Sequence, residues 1–380
     1  MRERGGVGGH ARTVIAGGGV SGLSLAAHLA VADHRHPVVV VDDGSYPLDD
    51  RTWASWSDRP GLLDGAASRW FERIRVNVNG RTTVIPLGRY RYRVVRGRDL
   101  REVVQRYTDP LPHFTFHRGH IDRIDQDGIL VDGHHMRARW VFDSIIGPEA
   151  QSHVNAQLSF RGWYAHSERA AFDAETPTFF DFRTSQRHGA SFLYVLPFDA
   201  HRALVEHSSF TAPGALVPPR AQREALADYL TDVVRTGGYE VEREEHAVLP
   251  LSAAQIPRRR GNVLTIGAAG GLLKSSTGFG YQRIQRDSEA IAESLRRKGH
   301  PFALPEPSQR FRMFDAVLLD VVTHDPEQLE RAFGALFRFQ TAEPALRFLD
   351  EATTPPQEWR LFAGMPAPVY LAAAGRRLSS

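Results

Sequence analysis

The sequence predicts an α/β fold with three parts: a discontinuous Rossmann-type dinucleotide-binding domain, a β-sheet domain that covers it, and a set of C-terminal helices. Three observations predict this fold. A glycine fingerprint follows the first predicted strand, a second strand-to-glycine junction comes about 250 residues later, and helical periodicity of apolar residues starts at Pro305. Because long inserted segments separate the two glycine junctions, we expect the dinucleotide-binding domain to be discontinuous.

Composition narrows the class of protein. The 380 residues are 42% hydrophobic and 24% charged, which is typical of a globular protein. The absence of Cys excludes disulfides, thiolate catalysis and Cys-ligated metal sites. A net charge of +3 gives no strong field for nucleic acid. No apolar run reaches the ~18–20 residues that span a bilayer, and Met1 to Arg12 lack a signal-peptide pattern. We therefore expect a cytoplasmic or membrane-surface protein.

The first predicted strand leads into a glycine fingerprint. Residues 13–16 (TVIA) are followed by GGGVSG and then by an apolar helix over residues 23–29. In this G-x-G-x-x-G pattern Gly17 allows a tight turn, Gly19 allows the backbone to approach a pyrophosphate, and Gly22 lets the helix pack close to the sheet. The N-terminal N–H groups of such a helix bind phosphate. The segment therefore predicts a dinucleotide site.

The second predicted strand ends in two acidic residues. Residues 38–41 (VVVV) form a buried parallel strand that ends in Asp42 and Asp43. An acidic residue at this position accepts hydrogen bonds from the ribose hydroxyls of a dinucleotide. We assign this role to Asp42, because Asp43 points to the opposite face. The fingerprint occurs once, which favours FAD as a resident cofactor over a nicotinamide that would need its own site.

Two later strands complete the predicted domain. Residues 139–143 (RWVFD) form a strand that closes its first part, and residues 262–266 (NVLTI) run into Gly267 before a helix near residues 282–297. The remaining chain has β-type alternation first and aromatic-rich helical periodicity last. The predicted parts are the FAD-binding domain (10–75, 95–150 and 245–300), the substrate-binding sheet domain (76–94 and 151–244) and the helical cap (301–380).

Four segments carry a more specific pattern. They are R-T-W-A-S-W at 51–56, R-V-V-R-G-R-D-L at 93–100, A-L-V-E-H-S-S-F at 203–210 after an apolar strand, and L-L-K-S-S-T-G-F-G at 272–280. Together they resemble motifs of the lycopene cyclase family, the flavin-dependent enzymes that close rings on linear carotenoids, and above all its actinobacterial branch. The resemblance covers nearly the whole chain. It implies the Rossmann-type FAD-binding fold shared by flavin hydroxylases and lycopene cyclases.

The resemblance also implies roles for individual residues. Beside the fingerprint glycines, the residues that it places at the flavin are Arg51, Arg96, Gly267, Thr277 and Gly278. The aromatic residues expected in the substrate pocket are Trp53, Trp56, Tyr194 and Phe279. The essential glutamate of the family corresponds to Glu206, and the family reaction needs reduced FAD although no electrons are transferred overall. The chain departs from the family pattern at Ala268, where related flavoproteins carry Asp, and at His207 and Ser208.

The strand that carries Glu206 indicates its chemistry. Leu204, Glu206 and Ser208 share one face, whereas Val205 and His207 share the other. A carboxyl group among apolar side chains is desolvated, which raises its pKa and lets it act as a general acid near neutral pH. Aromatic rings stabilise the carbocation that forms when an acid protonates an alkene. His207 is the alternative proton relay, because imidazole titrates near pH 7.

Three functions are consistent with these patterns. The first is a reduced-FAD-dependent, non-redox cyclase that forms a ring at the end of a linear carotenoid or a related polyprenyl chain. The second is an FAD-dependent hydroxylase of a small aromatic or polyketide-like substrate, and the third is a degenerate flavin- or lipid-binding protein. For the first, we expect a long apolar substrate taken from the inner face of the membrane by peripheral contact. No nucleic acid, protein partner or metal is expected.

Overall fold

The computed structural model describes residues 12–147 and 154–378, and its mixed α/β architecture confirms the predicted fold class. The predictions that concern the first eleven residues, the stretch 148–153 and the last two residues lie outside this description. Four sheets and nine α-helices are present in the described part of the chain. The exact domain boundaries given above stay a prediction.

The dinucleotide-binding part is built on a six-stranded sheet. Its strands are β1 (Thr13–Ala16), β2 (Val38–Asp42), β8 (Phe114–Arg118), β12 (Trp140–Asp143), β18 (Arg259–Arg260) and β19 (Val263–Thr265). The order is β18-β19-β12-β1-β2-β8, and all pairs are parallel except β18 with β19. The helices α1 (Val20–Val31), α2 (Gly97–Thr108) and α4 (Tyr281–Lys298) belong to this part, with α1 packed against the other two. The strands come from three separate stretches of the chain, so this sheet is discontinuous in sequence.

The second large sheet has seven strands. They are β5 (Arg73–Val78), β6 (Arg81–Pro86), β13 (Ala156–Ser167), β14 (Thr178–Asp181), β15 (Ala190–Pro197), β16 (Arg202–Thr211) and β17 (Tyr239–Leu251). The order is β17-β13-β16-β15-β14-β5-β6, antiparallel apart from the pair of β14 with β5. Side chains alternate between the two faces of each strand. The register therefore decides which residues of β13, β16 and β17 face the same cavity.

Two three-stranded antiparallel sheets complete the β-structure. One contains β3 (Thr52–Ser57), β4 (Ala67–Phe71) and β7 (Arg91–Arg96), in the order β3-β7-β4. The other contains β9 (Ile121–Asp125), β10 (Gly128–Val131) and β11 (His134–Arg137), in the order β11-β10-β9. Strand β3 begins directly after Arg51, and the segment 51–54 lines the cavity described below.

Helices dominate the C-terminal part, as the apolar periodicity from Pro305 predicts. Outside the dinucleotide-binding part the helices are α3 (Pro219–Asp228), α5 (Gln309–His324), α6 (Gln328–Leu336), α7 (Glu343–Leu349), α8 (Pro355–Phe362) and α9 (Ala367–Leu378). Phe180 of β14 contacts Phe333 of α6 and Phe337, with ring centroids 5.0 and 5.2 Å apart. These rings belong to the largest apolar core, which joins the seven-stranded sheet to the cap. None of the helices in the described ranges is long and apolar enough to cross a membrane.

Candidate active site

A cavity of about 410 Å³ lies between the start of α1 and one face of the seven-stranded sheet. Gly19 and Ser21 line one end of it, and Glu206 lines the sheet side. Much of the remaining lining is aromatic, including Phe160, Phe179, Phe192, Phe210 and Phe333. Ligand sites are commonly apolar cavities with a few polar groups placed in them. The arrangement therefore joins a phosphate-binding type of turn to an apolar chamber that contains a carboxyl group.

The glycine turn has the geometry that a dinucleotide needs. Gly17 has a φ of +99°, which favours glycine, and a Cβ on Gly22 would lie 2.0 Å from the carbonyl oxygen of Gly17. A Cβ on Gly19 would meet no described atom within 4 Å, so this side of the turn is open. None of the described side chains caps the N-terminus of α1. Its first N–H groups are therefore oriented to bind an anion, which fits the pyrophosphate of FAD.

Asp42 lies at the predicted end of β2 and contacts the glycine turn. Its Oδ2 accepts a hydrogen bond of 2.7 Å from the N–H of Gly18, and its Oδ1 accepts one of 2.8 Å from the N–H of Gly44. Asp43 instead pairs with His120 at 3.1 Å. The two carboxylates thus diverge as expected for adjacent residues. The geometry keeps Asp42 next to the turn, and its contact with ribose stays a prediction.

The loop after β19 contributes the other predicted flavin contacts. Thr277 and Gly278 line the cavity, and Gly278 has a φ of +77°. Gly267 has a φ of +64°, and a Cβ there would lie 2.0 Å from the hydroxyl of Ser21. Close packing of this loop on the start of α1 therefore requires glycine at position 267. Ala268, the departure from the resembled pattern, also lines the cavity.

The two predicted arginines lie in different places. Arg51 lines the cavity, and its Nη1 donates a hydrogen bond of 2.9 Å to the carbonyl oxygen of His246. Arg96 is absent from the cavity lining, and its Nε donates a hydrogen bond of 2.7 Å to Asp99 in the first turn of α2. The structure therefore brings Arg51, but not Arg96, to the cavity wall.

Three of the four predicted pocket aromatics line the cavity. These are Trp53, Tyr194 and Phe279. Trp56 lies outside the cavity lining, edge-on to Phe279 with ring centroids 4.7 Å apart, and its Nε1 donates a hydrogen bond of 3.0 Å to Asp350. Trp56 thus supports Phe279 from behind. Successive side chains of β3 point to opposite faces of the sheet, so Trp53 and Trp56, three residues apart, lie on different sides. Trp56 is buried on the side of the cap.

Several aromatic residues of the cavity belong to no sequence motif, so the motifs do not predict them. Phe179 of β14 stacks on Phe279, with centroids 5.7 Å apart and an interplanar angle of 15°. Phe192 comes from β15, and Phe333 comes from α6 of the cap. The aromatic run around residues 179–182 was the available signal. The cap therefore contributes to the cavity wall as well as to the core.

Glu206 faces the cavity from β16, on the same side as Leu204 and Ser208. Burial raises the pKa of Glu206 to about 7, although a hydrogen bond of 2.7 Å from the Ser208 hydroxyl to Oε1 opposes the rise. The predicted direction of this pKa shift is confirmed. A substantial fraction of Glu206 is therefore protonated at neutral pH.

His207 points away from the cavity. It is not among the cavity-lining residues, it is buried on the other face of β16, and burial lowers its pKa to about 4. A histidine with this pKa is neutral at pH 7. The alternative in which His207 relays the proton therefore has no support in the geometry of the strand.

A second carboxyl group in the cavity was missed altogether. Glu245 of β17 lines the cavity, and so do Ala247 and Leu249 of the same strand. The neighbouring Glu244 points to the opposite face and pairs with arginines outside the cavity. Alternation along residues 245–251 was the signal that could have found Glu245. This alternation does not single out Glu245, because four glutamates occur between 240 and 245.

A buried ion network fixes the loop that carries Thr277. The Lys274 side chain is only 2% exposed, and its Nζ lies 3.1 Å from Asp315 of α5 and 3.3 Å from Glu351. Arg283 also pairs with Glu351, at 2.6 Å. Loss of one partner of a buried ion pair leaves an uncompensated charge. The network thus ties the cavity loop to the helical cap.

We expect Lys274→Met to lower the free energy of unfolding by about 3–5 kcal/mol, because Asp315 would stay buried without its partner. Chemical denaturation followed by circular dichroism measures this change. The matched control is Lys298→Met, since Lys298 is exposed at the end of α4. Equal stabilities of the two variants would contradict a role of the network in fixing the loop.

The fold is of the Rossmann-type FAD-binding kind, and the comparisons specify its family. The family described as "Lycopene cyclase protein" matches residues 13–374. The chain therefore belongs to the lycopene cyclase family, as its motifs predict. Membership in this family supports FAD as the cofactor.

Curated relatives are distant. The chain is 23% identical to "Lycopene beta cyclase, chloroplastic/chromoplastic" of Capsicum annuum over 311 residues, which cover 74% of this chain and 59% of that protein. It is also 23% identical to "Neoxanthin synthase, chloroplastic" of Solanum tuberosum over 312 residues, covering 74% and 60%. The matched region thus spans about three fifths of the length of these relatives.

Solved structures share the fold at lower identity. A geranylgeranyl bacteriochlorophyll reductase-like protein from Thermoplasma acidophilum aligns with a TM-score of 0.62 at 12% identity, covering 95% of this chain and 98% of that one. The flavin-dependent brominase Bmp2 aligns with a TM-score of 0.59 at 13% identity, covering 97% and 99%. These neighbours confirm the predicted fold. They do not specify the reaction, which must be inferred from the residues of the cavity.

Proposed function

We propose that this protein is a reduced-FAD-dependent, non-redox cyclase that closes a ring at the end of a linear carotenoid or a related polyprenyl chain. One observation carries the proposal. A single cavity joins the open glycine turn at Gly19 to the raised-pKa carboxyl of Glu206, and aromatic rings line the wall around them. An acid, an apolar chamber and aromatic faces are what a proton-initiated cyclisation needs.

The proposed reaction starts at Glu206. Its protonated carboxyl donates a proton to the terminal double bond of the polyene, which leaves a tertiary carbocation. An internal double bond attacks this cation and forms the ring, and a proton then leaves the ring as its new double bond forms. Tyr194 and Phe279 present aromatic rings to the chamber, and each ring face offers ~0.5–2 kcal/mol to a cation. Their apolar bulk also excludes water that would trap the cation.

The proposed cofactor site uses the residues around the glycine turn. The first N–H groups of α1 would hold the pyrophosphate, Asp42 would contact ribose, and Thr277 and Gly278 would lie against the flavin. Reduced FAD supplies an electron-rich ring system that stabilises nearby positive charge. Because Ala268 has no polar side chain, the ribityl hydroxyls would depend on backbone groups of the same loop.

Exposed apolar side chains of the cap fit the proposed uptake of substrate from a bilayer. Trp359 of α8 is 79% exposed and Leu371 of α9 is 71% exposed, and Arg360 follows Trp359 in an exposed position. Exposed aromatic, apolar and basic side chains are the types that suit the interface of an anionic membrane. We propose that this part of the cap contacts the inner face of the cytoplasmic membrane peripherally.

The pKa of Glu206 predicts the alkaline side of the pH profile. The acid must be protonated to act, so turnover falls as rising pH ionises a carboxyl with a pKa near 7. We expect the rate to drop by roughly tenfold or more between pH 7 and pH 9. Initial rates over this range at saturating FAD measure the drop. A rate that rises across the range would contradict an acid role for Glu206.

Product mass tests the proposed function. Purified protein would be incubated without oxygen with chemically reduced FAD and lycopene in liposomes, and the products separated by chromatography. A cyclic product of unchanged mass is expected. A product heavier by one oxygen, formed in air, would instead support the hydroxylase. Unreacted lycopene beside firmly bound flavin would favour the degenerate binding protein or another polyprenyl substrate.

A further inference from the structure

Two carboxyl groups face the same chamber from strands that flank β13. In the register of the sheet, Gly162 of β13 lies directly opposite Glu206 of β16 on one side and Glu245 of β17 on the other. All three residues therefore project to the same face. A Cβ on Gly162 would lie 2.8 Å from a methyl group of Leu204 and 3.4 Å from Glu245. The missing side chain keeps the space between the two carboxyls open.

The surroundings of Glu245 suit a group that changes its proton. Glu245 is 5% exposed, and burial and the charge of Glu206 raise its pKa to about 8. The positive charges of Arg243 and Arg51 oppose this rise. Tyr164 of β13 donates a hydrogen bond of 3.5 Å to Oε2 of Glu245. These are the charged and titratable neighbours that act on Glu245.

The hydrogen bonds continue from Glu245 toward the start of β3. The Tyr164 hydroxyl is also hydrogen-bonded to the hydroxyl of Thr52, and the Arg243 guanidinium lies 3.7 Å from the centre of the Tyr164 ring. Thr52 lines the cavity, whereas Glu206 has its own partner, the hydroxyl of Ser208. The two carboxyls thus have separate hydrogen-bond partners and share one chamber. This asymmetry suits two groups with different tasks.

We infer that Glu245 is a second catalytic residue, the base that removes the ring proton after Glu206 has protonated the substrate. The inference rests on the proposed cyclase function. After ring closure a C–H bond next to the cationic carbon breaks, its electron pair becomes the ring double bond, and the proton passes to the Glu245 carboxylate. Glu206 has then lost one proton and Glu245 has gained one. Transfer between the two carboxyls restores the starting state, and no electron or co-reactant is consumed.

The active form of this pair holds one proton, and Glu206 carries it. Because the pKa of Glu245 is the higher of the two, this is the less populated of the two singly protonated forms. With two protons there is no base, and with none there is no acid. Interacting carboxyls lose their protons in two separate steps, because the first negative charge disfavours the second. The rate should therefore fall on both sides of a maximum in wild type. Removing Glu245 should abolish the acid-side fall and move the alkaline fall to lower pH.

Glu245→Gln tests this role through the pH profile and the product identity, which the loss of a merely structural residue would not change. We expect the rate to fall on the order of 10²-fold with FAD binding unchanged. We also expect loss of the acid-side limb and new products, formed by proton loss at another carbon or by capture of water. Glu240→Gln is the matched control, since Glu240 is exposed on the same strand. An active Glu245→Gln variant with the wild-type pH profile and product would overturn the inference. Glu245→Asp, which keeps the carboxyl, should recover the wild-type product.

A second readout needs no substrate. Infrared difference spectra of the C=O band of protonated carboxyls follow the titration of Glu206 and Glu245 in the FAD-bound protein. In Glu206→Gln we expect Glu245 to ionise at lower pH than in wild type, because the neighbouring negative charge is gone. Unchanged titration of Glu245 would overturn the pair. Coupled titration in a protein that cyclises neither lycopene nor a related polyprenyl chain would refute the proposed function and leave the pair standing.

Discussion

Glu206→Gln is expected to lower the rate of cyclisation by roughly 10²–10⁴-fold, the usual contribution of a general acid. Gln has the shape of the carboxyl group but does not donate an acidic proton. The hydrogen bond from Ser208 to Oε1 can be retained by the amide oxygen, so the strand should keep its structure. Initial rates with lycopene in liposomes and reduced FAD measure the loss. FAD affinity, followed by flavin fluorescence, should stay unchanged.

A control on the same strand separates chemistry from packing. His207→Gln changes a buried side chain on the opposite face of β16, away from the cavity. We expect it to affect stability more than the pH profile of the reaction. Full activity in Glu206→Gln, or equal loss in both variants with an unchanged pH profile, would refute Glu206 as the acid.

Gly22→Ala is expected to lower the affinity for FAD by roughly 10- to 100-fold. The new Cβ would lie 2.0 Å from the carbonyl oxygen of Gly17 and 3.1 Å from a methyl carbon of Ile15, so α1 must move away from the sheet. Overpacking of this kind costs typically 1–3 kcal/mol, and each 1.4 kcal/mol is a factor of ten in affinity. Displacement of α1 also misplaces the N–H groups that would hold the pyrophosphate. Fluorescence titration with FAD measures the affinity.

Gly147→Ala is the matched control for this prediction. A Cβ on Gly147 would meet no described atom within 4 Å, and this glycine is not at a positive φ. Its affinity for FAD should therefore equal that of wild type. If Gly22→Ala also binds FAD with wild-type affinity, the glycine turn is not the dinucleotide site.

The sequence predicted the parts of the site that depend on local order. The strand–glycine–helix pattern located Gly17, Gly19 and Gly22, because the phosphate-binding turn is formed by consecutive residues. Alternation on β16 placed Glu206 on one face and His207 on the other, because side-chain direction has a period of two. Each of these features is determined within about ten residues.

The sequence could not predict the parts of the site that depend on strand pairing and on other long-range contacts. Glu245 shares a face of the sheet with Glu206 only because β13 lies between β17 and β16 in the register that puts Gly162 opposite both. The hydrogen bond from Trp56 to Asp350 of the cap likewise joins distant parts of the chain. Phe333 reaches the cavity from a helix of that cap. Such contacts join residues far apart in sequence, and no local pattern specifies them.

In the proposed reaction an enzyme carboxyl gives its proton to the substrate without net redox change. Single-turnover cyclisation in D₂O tests it most directly, because the exchangeable Glu206 carboxyl would carry deuterium. We expect the cyclic product to contain a single deuterium for each ring formed, and the product made in H₂O to have the mass of lycopene. A cyclic product without deuterium, or a product that contains added oxygen, would contradict the account.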